Sequence, residues 1–232
     1  MNETIRKRKS IRKYDLTSLD ASTLDKVRDK INSVKPLFPD IRYSIEIVGK
    51  TKGIFNIKSP YYLVFGSEEK DGSLENIGFI GQQMDLYFSE MGLGACWLGA
   101  SKPEEKSILP SVICMSFGKP AEPLHRSLSE FKRKPLNEIS EGTDGRLEAA
   151  RLAPSGVNAQ NWYFVAKDGK IHCYRKKANL VLGFLYNKLA CIDMGIAICH
   201  IAEESDVFVF AKETGVPERK GHVYMGTVGR GF

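Results

Sequence analysis

The sequence predicts an α+β protein made of two similar halves, each with the order helix, two strands, long helix, strand. Apolar residues recur at helical spacing in two long segments, 74–91 and 187–204. Short apolar or alternating runs of strand length lie on both sides of each segment. This order occurs twice along the 232 residues, which fits long central helices packed on mostly antiparallel sheets.

In the first half, the spacing of apolar and basic residues from Ile5 onward predicts a short helix that ends near Tyr14. Asp20 is a suitable N-cap for a second helix over 21–33. The glycines that follow residue 91 stop the first long helix. The other elements predicted for this half are strands over 42–48, 61–66 and 111–117.

Residues 120–145 are rich in charged residues, Ser, Gly and Pro, and we interpret them as the connection between the halves. We place the two halves at 1–140 and 141–232. The predicted elements of the second half are a helix over 145–152, strands over 162–166 and 171–175, a long helix over 187–204, and strands over 207–211 and 222–228. Residue identity between the halves is low, so an internal duplication and a coincidental succession of elements both remain open.

Composition excludes several classes of protein. The longest apolar stretch, 190–202, contains Asp193 and His200 and is too short to span a bilayer. The first residues run straight into charges, without the apolar segment of a signal peptide. Five cysteines without a CxxC pair predict reduced thiols, and four scattered histidines predict no metal site. We therefore expect a cytoplasmic protein that binds no membrane and no metal.

The net charge of +6 comes largely from two compact clusters, within residues 6–13 and 132–134. A nucleic-acid-binding protein would spread Lys and Arg along one face with interleaved aromatic residues. These clusters lack that pattern, so we expect no nucleic-acid partner. Such a protein remains an alternative that steeply salt-dependent duplex binding would reveal. Two short clusters far apart in sequence can instead converge on one phosphate.

On the predicted N-terminal helix, Arg8 and Arg12 lie one turn apart on the same face. Two guanidinium groups and the hydroxyl of Ser10 can then hold a phosphate together, with the bidentate geometry that arginine offers. A solvated basic helix end explains the same residues equally simply.

Residues 153–162, with the sequence APSGVNAQNW, combine backbone freedom with amide side chains. Pro154 ends the preceding helix, and the next two residues leave backbone N–H groups free. Asn158 and Gln160 add amide donors and acceptors, so the loop can hydrogen-bond the edge of a planar heterocycle. A helix C-cap followed by a turn into a strand fits the same residues.

Residues 91–100 form a glycine-rich segment that follows a helix rather than a strand. Their spacing is not that of a dinucleotide-binding loop. We expect a loop whose glycines let backbone N–H groups approach a ligand closely.

Together these segments resemble the FMN-dependent nitroreductase family. RKSIR at 8–12 is similar to the family's RRSxR flavin-phosphate motif, and 153–162 is similar to its APSxxNxQPW loop, with Asn161 in place of proline. Three weaker similarities are the EMGLGACWLG end of the long helix, the turn SFGKPAE and the basic element FKRKPLNEI. The resemblance implies a nitroreductase-like fold.

The resemblance also implies a set of flavin contacts. The phosphate and ribityl chain would lie on the first motif and on a basic residue of the connection, and the isoalloxazine ring would lie on the second motif and on the backbone after the long helix. These residues are Arg8, Ser10, Arg12 and Arg133 for the phosphate end, Pro154, Ser155, Gly156 and Asn158 for the ring, and Leu98 and Gly99 near the reactive N5 edge. The resemblance implies no protein acid or base, so we assign no catalytic side chain.

The order of the motifs departs from the family. RKPL precedes the APS loop here, and residues 31–36 of the first half have lost that loop's motif. Family members are homodimers with two flavins at the interface, and this chain looks like such a dimer fused into one polypeptide. We therefore expect one FMN per chain and a monomer that acts as a fused dimer.

The activity implied by the resemblance is ping-pong hydride transfer. NADH or NADPH would reduce FMN, and a small electron acceptor such as a nitroaromatic compound or a quinone would then reoxidise it. A degenerate flavin-binding carrier or sensor without reductase turnover is the alternative.

Overall fold

The computed structural model of the chain describes residues 2–53, 57–177 and 183–229, and of Phe184 and Leu185 only the backbone. Within these ranges a long helix with strands before and after it occurs twice. The elements are α1 (Glu3–Lys7), α2 (Ala21–Ser33), β1 (Tyr43–Val48), β2 (Thr51–Gly53), β3 (Tyr61–Ser67), α3 (Ser73–Glu90), β4 (Gly94–Leu98), β5 (Ser101–Pro103), β6 (Ser111–Gly118), α4 (Leu136–Ile139), β7 (Ser140–Glu141), α5 (Arg146–Leu152), β8 (Trp162–Lys167), β9 (Lys170–Lys176), α6 (Gly183–Ala202), β10 (Val209–Ala211) and β11 (His222–Gly229).

Two sheets share one topology. The first has the order β1-β3-β6-β4, and the second has the order β10-β11-β9-β8-β7. Without β7, each sheet places its four strands in the spatial order first, second, fourth, third, with the long helix between the second and third strands of the chain. All described pairings in the two sheets are antiparallel except that of β7 with β8, which is parallel. The predicted succession of elements is therefore present in both halves.

The long helices α3 and α6 cross at two glycines. A Cβ at Gly78 would lie 2.0 Å from the carbonyl oxygen of Ile192, and a Cβ at Gly195 would lie 2.0 Å from that of Glu75. Gly78 thus faces the residue three positions before Gly195, and Gly195 faces the residue three positions before Gly78. Only glycine lets the two helix backbones approach this closely.

The N-terminal helix is shorter than predicted. It ends at Lys7, and Arg8 already has extended backbone angles of φ −58° and ψ 144°. Ile11 is fully buried against Gly94, and its N–H donates to the Ala95 carbonyl at 2.9 Å. Because the chain must run extended along β4 to make these contacts, the prediction of one helix to Tyr14 was wrong.

The glycine-rich segment 91–100 was predicted as a loop, and that prediction was wrong for most of its length. Gly92 adopts a positive φ of 78° after α3, and the chain then enters β4, which pairs with β6. Gly94 faces Ile11, where a Cβ would come within 2.7 Å of that side chain. The glycines thus serve a turn and a close chain packing within a buried strand.

The five cysteines are free thiols, and four of them are buried while Cys191 is half-buried. In the described ranges no helix is long and apolar enough to cross a membrane. The same ranges contain no group of His, Cys, Asp and Glu side chains that could hold a metal ion.

Replacing Gly78 by alanine should destabilise the fold, although alanine is the better helix former. The new methyl group would collide with the Ile192 carbonyl, and overpacking of this kind costs roughly 1–3 kcal/mol or more. Gly183→Ala, on the partner helix α6 at a position where a Cβ would lie 4.0 Å from Asn187 Nδ2, is the control and should be neutral or slightly stabilising. Urea unfolding measures both; equal stabilities would contradict the close crossing.

Candidate functional site

Arg8 is a buried cation between the N-terminal segment and α3. Its side chain is 1% exposed, and its Nε lies 3.0 Å from Oδ2 of the buried Asp85. Its Nη2 donates to Ser10 Oγ at 3.2 Å. Its Nη1 is buried and has no hydrogen-bond partner among the described residues. A buried guanidinium with a free N–H edge is ready to donate to an anion.

Two further arginines lie close to Arg8. The Arg126 Nε donates to the Arg8 carbonyl at 3.1 Å, and its guanidinium lies 3.5 Å from the centroid of the Phe131 ring. The Arg133 guanidinium lies 5.6 Å from the same centroid. Phe131 therefore holds both cations beside it through cation–π contacts. Arg126 was not among the predicted site residues, because only its position seven residues before Arg133 in the connection hinted at it.

The pKa values of these arginines reflect their burial first and the crowding of positive charge second. Burial lowers the pKa of Arg133 to about 9, with further lowering by Arg126 and Arg8. Burial also lowers the pKa of Arg126 to about 10, and Arg8 adds to that effect. The buried acidic partner is Asp85. Burial raises the pKa of its carboxyl, and Arg8 opposes that rise. A bound anion would relieve this repulsion.

Arg12 does not stack one turn above Arg8, because the segment is extended rather than helical. Arg12 is exposed, and its backbone N–H donates to Glu122 Oε1 at 2.6 Å while its Nη1 donates to the Ser10 carbonyl at 3.4 Å. It still lies near the same place, since both Arg8 and Arg12 donate hydrogen bonds to Ser10. Of the predicted pair, Arg8 is the buried partner and Arg12 is at the rim.

The loop after α5 packs against the segment that carries Arg133. Asn158 Oδ1 accepts from Arg133 Nη1 at 2.6 Å, and Asn158 Nδ2 donates to the Lys132 carbonyl at 2.7 Å. Gln160 is buried, and its Oε1 accepts from the Lys134 N–H at 2.7 Å. The structure thus brings the predicted ring-binding loop and the predicted basic element into direct contact.

The same loop is held in an uncommon backbone conformation. Val157, Asn158 and Gln160 have positive φ values of 47°, 57° and 51°. Such angles in residues other than glycine cost on the order of 1–3 kcal/mol each and cluster at ligand sites. Ser155 Oγ, which accepts the Gln160 N–H at 3.0 Å, helps to hold the turn, and Pro154 is buried beneath it.

Leu98 and Gly99 lie at the end of β4, on the other side of the site. Leu98 is buried in the sheet, while Gly99 and Gly156 both face Leu189 of α6. A Cβ at Gly99 would lie 3.2 Å from Leu189 Cδ2, and a Cβ at Gly156 would lie 3.6 Å from Leu189 Cδ1. The two glycines that were predicted to approach the ring from different halves therefore meet at one side chain.

A chain of buried hydrogen bonds links Asp85 to α5. Gln82 Nε2 lies 3.0 Å from both Asp85 Oδ2 and His200 Nε2, and Gln82 Oε1 accepts from the Trp97 indole N–H at 3.2 Å. His200 Nδ1 lies 2.9 Å from the carbonyl oxygen of Ala149 in α5. Since a carbonyl can only accept, His200 carries its proton on Nδ1 and accepts from Gln82 with Nε2. Burial lowers the pKa of His200 to about 3 and keeps it neutral.

Asp193 of α6 supports the second-half loop from below. It is 4% exposed, and its Oδ1 accepts the Gly156 N–H at 2.9 Å. Burial raises the pKa of its carboxyl to about 7, against the lowering effect of that N–H. Asp193 interrupts an apolar stretch of the sequence, but nothing there reveals its partner.

The first half contains a counterpart of this loop with different side chains. The carbonyl oxygen of the buried Asn76 side chain accepts the N–H groups of Leu37 and Phe38 at 2.7 Å and 3.0 Å. Phe38 packs edge-on against Phe210 with ring centroids 5.8 Å apart, and Phe208 stacks on Phe79. Phe38 lies four residues after the C-cap of α2, and Val157 lies four residues after the C-cap of α5. Unlike Phe38, Val157 is 86% exposed. Aromatic side chains therefore fill the space beside the first-half loop.

Comparison with known proteins gives three findings. The family described as "Putative TM nitroreductase" matches residues 1–205. A solved structure called a "putative nitroreductase", from Thermotoga maritima MSB8, has 20% identity and a TM-score of 0.65, over 97% of this chain and 90% of that chain. Among curated proteins no match is found.

Two other solved structures overlap with part of the chain. A nitroreductase family protein from Clostridium difficile 630 has 18% identity and a TM-score of 0.48, over 60% of this chain and 96% of that chain. A protein from Clostridium difficile R20291, called an FMN-dependent nitroreductase, has 18% identity and a TM-score of 0.45, over 57% and 95%.

Replacing His200 by glutamine should make stability less sensitive to acid. The folded-state pKa of His200, about 3, lies below its ordinary value of 6.5, so as pH falls below about 6.5 the unfolded chain binds a proton that the folded chain refuses. This costs up to about 1.4 kcal/mol of stability per pH unit. Glutamine can replace both hydrogen bonds without titrating.

The measurement is the free energy of unfolding between pH 7 and pH 4 for the wild type, His200→Gln and the control His222→Gln. His222 is half-exposed, so the control should keep the wild-type slope. Parallel curves for the wild type and His200→Gln would show that His200 is not buried in the neutral form.

Proposed function

The chain belongs to this nitroreductase family, and from that premise we propose that it is an oxidoreductase that binds FMN and uses NADH or NADPH to reduce small acceptors. The family resemblance predicted from 8–12 and 153–162 is confirmed, and membership of a nitroreductase family supports an oxidoreductase role. The flavin, the nicotinamide and the acceptor are the parts of the proposal that experiments must test.

The observation that carries the proposal is the arginine cluster. Arg8 Nη1 and Arg133 Nε are buried without hydrogen-bond partners among the described residues, and Arg126 contacts the Arg8 carbonyl and shares the Phe131 ring with Arg133. Three neighbouring guanidinium groups, two of them with unused buried donors, fit a phosphate dianion, which offers three acceptor oxygens and neutralises the repulsion. The phosphate end of FMN therefore fits these residues.

The ring end of FMN fits the neighbouring loop. Asn158 touches Arg133 directly, so a ligand whose phosphate lies on the arginines extends naturally along 154–158. Gly99 and Gly156 both face Leu189, and neither carries a side chain that would narrow the approach of a ring to this place. The positive φ angles of Val157 and Asn158 are typical of a backbone held ready for contact with a ligand.

We propose one FMN per chain and a fused dimer as the architecture. The repeated sheet topology and the reciprocal glycine crossing of α3 and α6 support the fusion. Phe38, Phe208 and Phe210 occupy the surroundings of the first-half loop, which supports a single site. The boundary between residues 140 and 141, the cytoplasmic location and the monomeric state stay predictions.

When bound, FMN would supply hydride transfer between the nicotinamide and an acceptor such as a nitroaromatic compound or a quinone. The chain's own residues act on binding and orientation. Arg8, Arg126 and Arg133 hold the phosphate, and Arg12 closes its rim together with Ser10. Asp85, Gln82 and His200 keep Arg8 in place, because each has a defined hydrogen-bond partner in the buried chain.

Titration of the purified protein with FMN should saturate at one flavin per chain, and NADPH or NADH added anaerobically should bleach the visible band. Saturation without bleaching would favour the flavin carrier or sensor. Saturation at two flavins per chain would contradict the single site, and a failure to bind FMN would contradict the proposed function itself.

Arg126→Ala should weaken FMN binding and leave riboflavin binding unchanged, because riboflavin has no phosphate. Loss of a charge-assisted contact of about 1.5–3 kcal/mol predicts a rise in the FMN dissociation constant of roughly 10- to 100-fold. The exposed Arg28→Ala, on α2, is the control for a lost positive charge. Fluorescence titration measures all three proteins; equal losses for FMN and riboflavin would place Arg126 away from the phosphate.

A further inference from the structure

The two halves hold equivalent loops, and in each half a side chain of the long helix accepts a backbone N–H of the loop. This side chain is Asn76 in the first half and Asp193 in the second. Asn76 stands two residues before Gly78, and Asp193 stands two residues before Gly195. Leu37 lies three residues after the C-cap of α2, and Gly156 lies three residues after the C-cap of α5. In each half a side-chain oxygen of the long helix accepts the backbone N–H at this position, at 2.7 Å and 2.9 Å.

The amide of Asn76 is sufficient for this structural task. Its Oδ1 accepts two backbone N–H groups, and its Nδ2 lies 3.4 Å from the Phe38 carbonyl. An amide does not titrate, so the first-half loop is held in the same way at every pH. An asparagine at position 193 could support the second-half loop similarly, which leaves the carboxyl of Asp193 without a purely structural explanation.

Asp193 lies where a ligand on the second-half loop would cover it. Gly156, whose N–H it accepts, and Leu189, one turn earlier on α6, both line the place where Gly99 and the loop meet. A ring lying against this loop shields Asp193 further from water. Shielding penalises the ionised carboxylate more than the neutral acid.

We propose that Asp193 is a positioning residue of the flavin site that takes up a proton when FMN binds, and that it thereby makes flavin affinity depend on pH. The inference rests on the proposed function, because it concerns the same site. Asp193 acts through the Gly156 N–H and the loop that this N–H anchors. It transfers no group and needs no other reactant.

Other charged and titratable groups lie on α6, on the elements packed against it and beside the loop. They are Glu75 and Asp85 on α3, Arg146, Glu148 and Arg151 on α5, Lys167 on β8, Lys170, His172, Arg175 and Lys176 on β9, Arg133 beside the loop, and Lys188, Cys191 and His200 on α6. Among the described residues, burial and the Gly156 N–H account for the pKa of Asp193, about 7, without a contribution from these groups. The Asp193 carboxyl therefore exists in both protonation states near neutral pH, where a bound ligand can shift it toward the neutral acid.

The direction of the effect follows from proton linkage. If FMN raises the affinity of Asp193 for a proton, FMN binds more tightly below pH 7 than above it, and the dissociation constant rises by up to about tenfold per pH unit above pH 7. The phosphate of FMN, with a second pKa near 6, is already a dianion in this range. Its own titration therefore does not mimic the effect.

The experiment measures FMN binding to the full-length protein from pH 7 to pH 8.5 by fluorescence, and proton uptake by calorimetry in buffers of different ionisation enthalpy. The wild type should take up close to one proton per FMN at pH 8 and lose affinity as pH rises. Asp193→Asn should bind FMN with a flat pH profile and without that proton. Asn76→Asp, the matched variant of the other half, should keep the wild-type profile.

An absence of proton uptake by the wild type overturns the inference and requires no variant. Equal proton uptake by the wild type and Asp193→Asn also overturns it, while FMN binding itself leaves the proposed function standing. A wild type that binds no FMN overturns both. A loss of pH dependence confined to Asp193→Asn, with the loop still able to hold flavin, supports the positioning role.

Discussion

The close crossing of α3 and α6 is the contact on which the rest of the structure depends. Gly78 and Gly195 let the two backbones meet, and each helix packs at the same time on its own sheet. A side chain at either glycine would push the halves apart. The Arg8 segment and Gly99 belong to the first half and the loop at Gly156 belongs to the second, so the crossing also sets the distance between the two sides of the site.

Buried polar groups give this apolar interface its specificity. Asp85, Gln82 and His200 form a hydrogen-bonded chain across the two helices, and each donor in it faces an acceptor. Removing one partner from such a chain leaves a buried group unsatisfied, which is costlier than the mean value of a hydrogen bond. The chain ends on α5, so the position of Arg8 and the start of the second-half loop are coupled through defined contacts.

The two halves share one backbone arrangement but differ in the side chains around it. Both halves have the same sheet topology. In both, a side chain of the long helix also accepts a backbone N–H of the loop that follows α2 or α5. The differences lie in side chains: Phe38 packs inward beside the first-half loop, whereas Val157 points into solvent. Aromatic rings fill the space beside the first-half loop, whereas the second-half loop is open beside the arginines, and this difference supports the proposed single site.

Sequence alone determined most of the succession of helices and strands, the family and the two motif segments, because periodicity, caps and local motifs are properties of neighbouring residues. It did not reveal that the chain is extended from Arg8 onward, that β4 is a strand, that Arg126 lies beside Arg8, or that Asp193 accepts the Gly156 N–H. Those features depend on contacts between residues far apart in the chain: Ile11 with Gly94, Arg126 with Arg8, and Asp193 with Gly156. Only the tertiary structure decided them, since burial and partner set a group's conformation and charge.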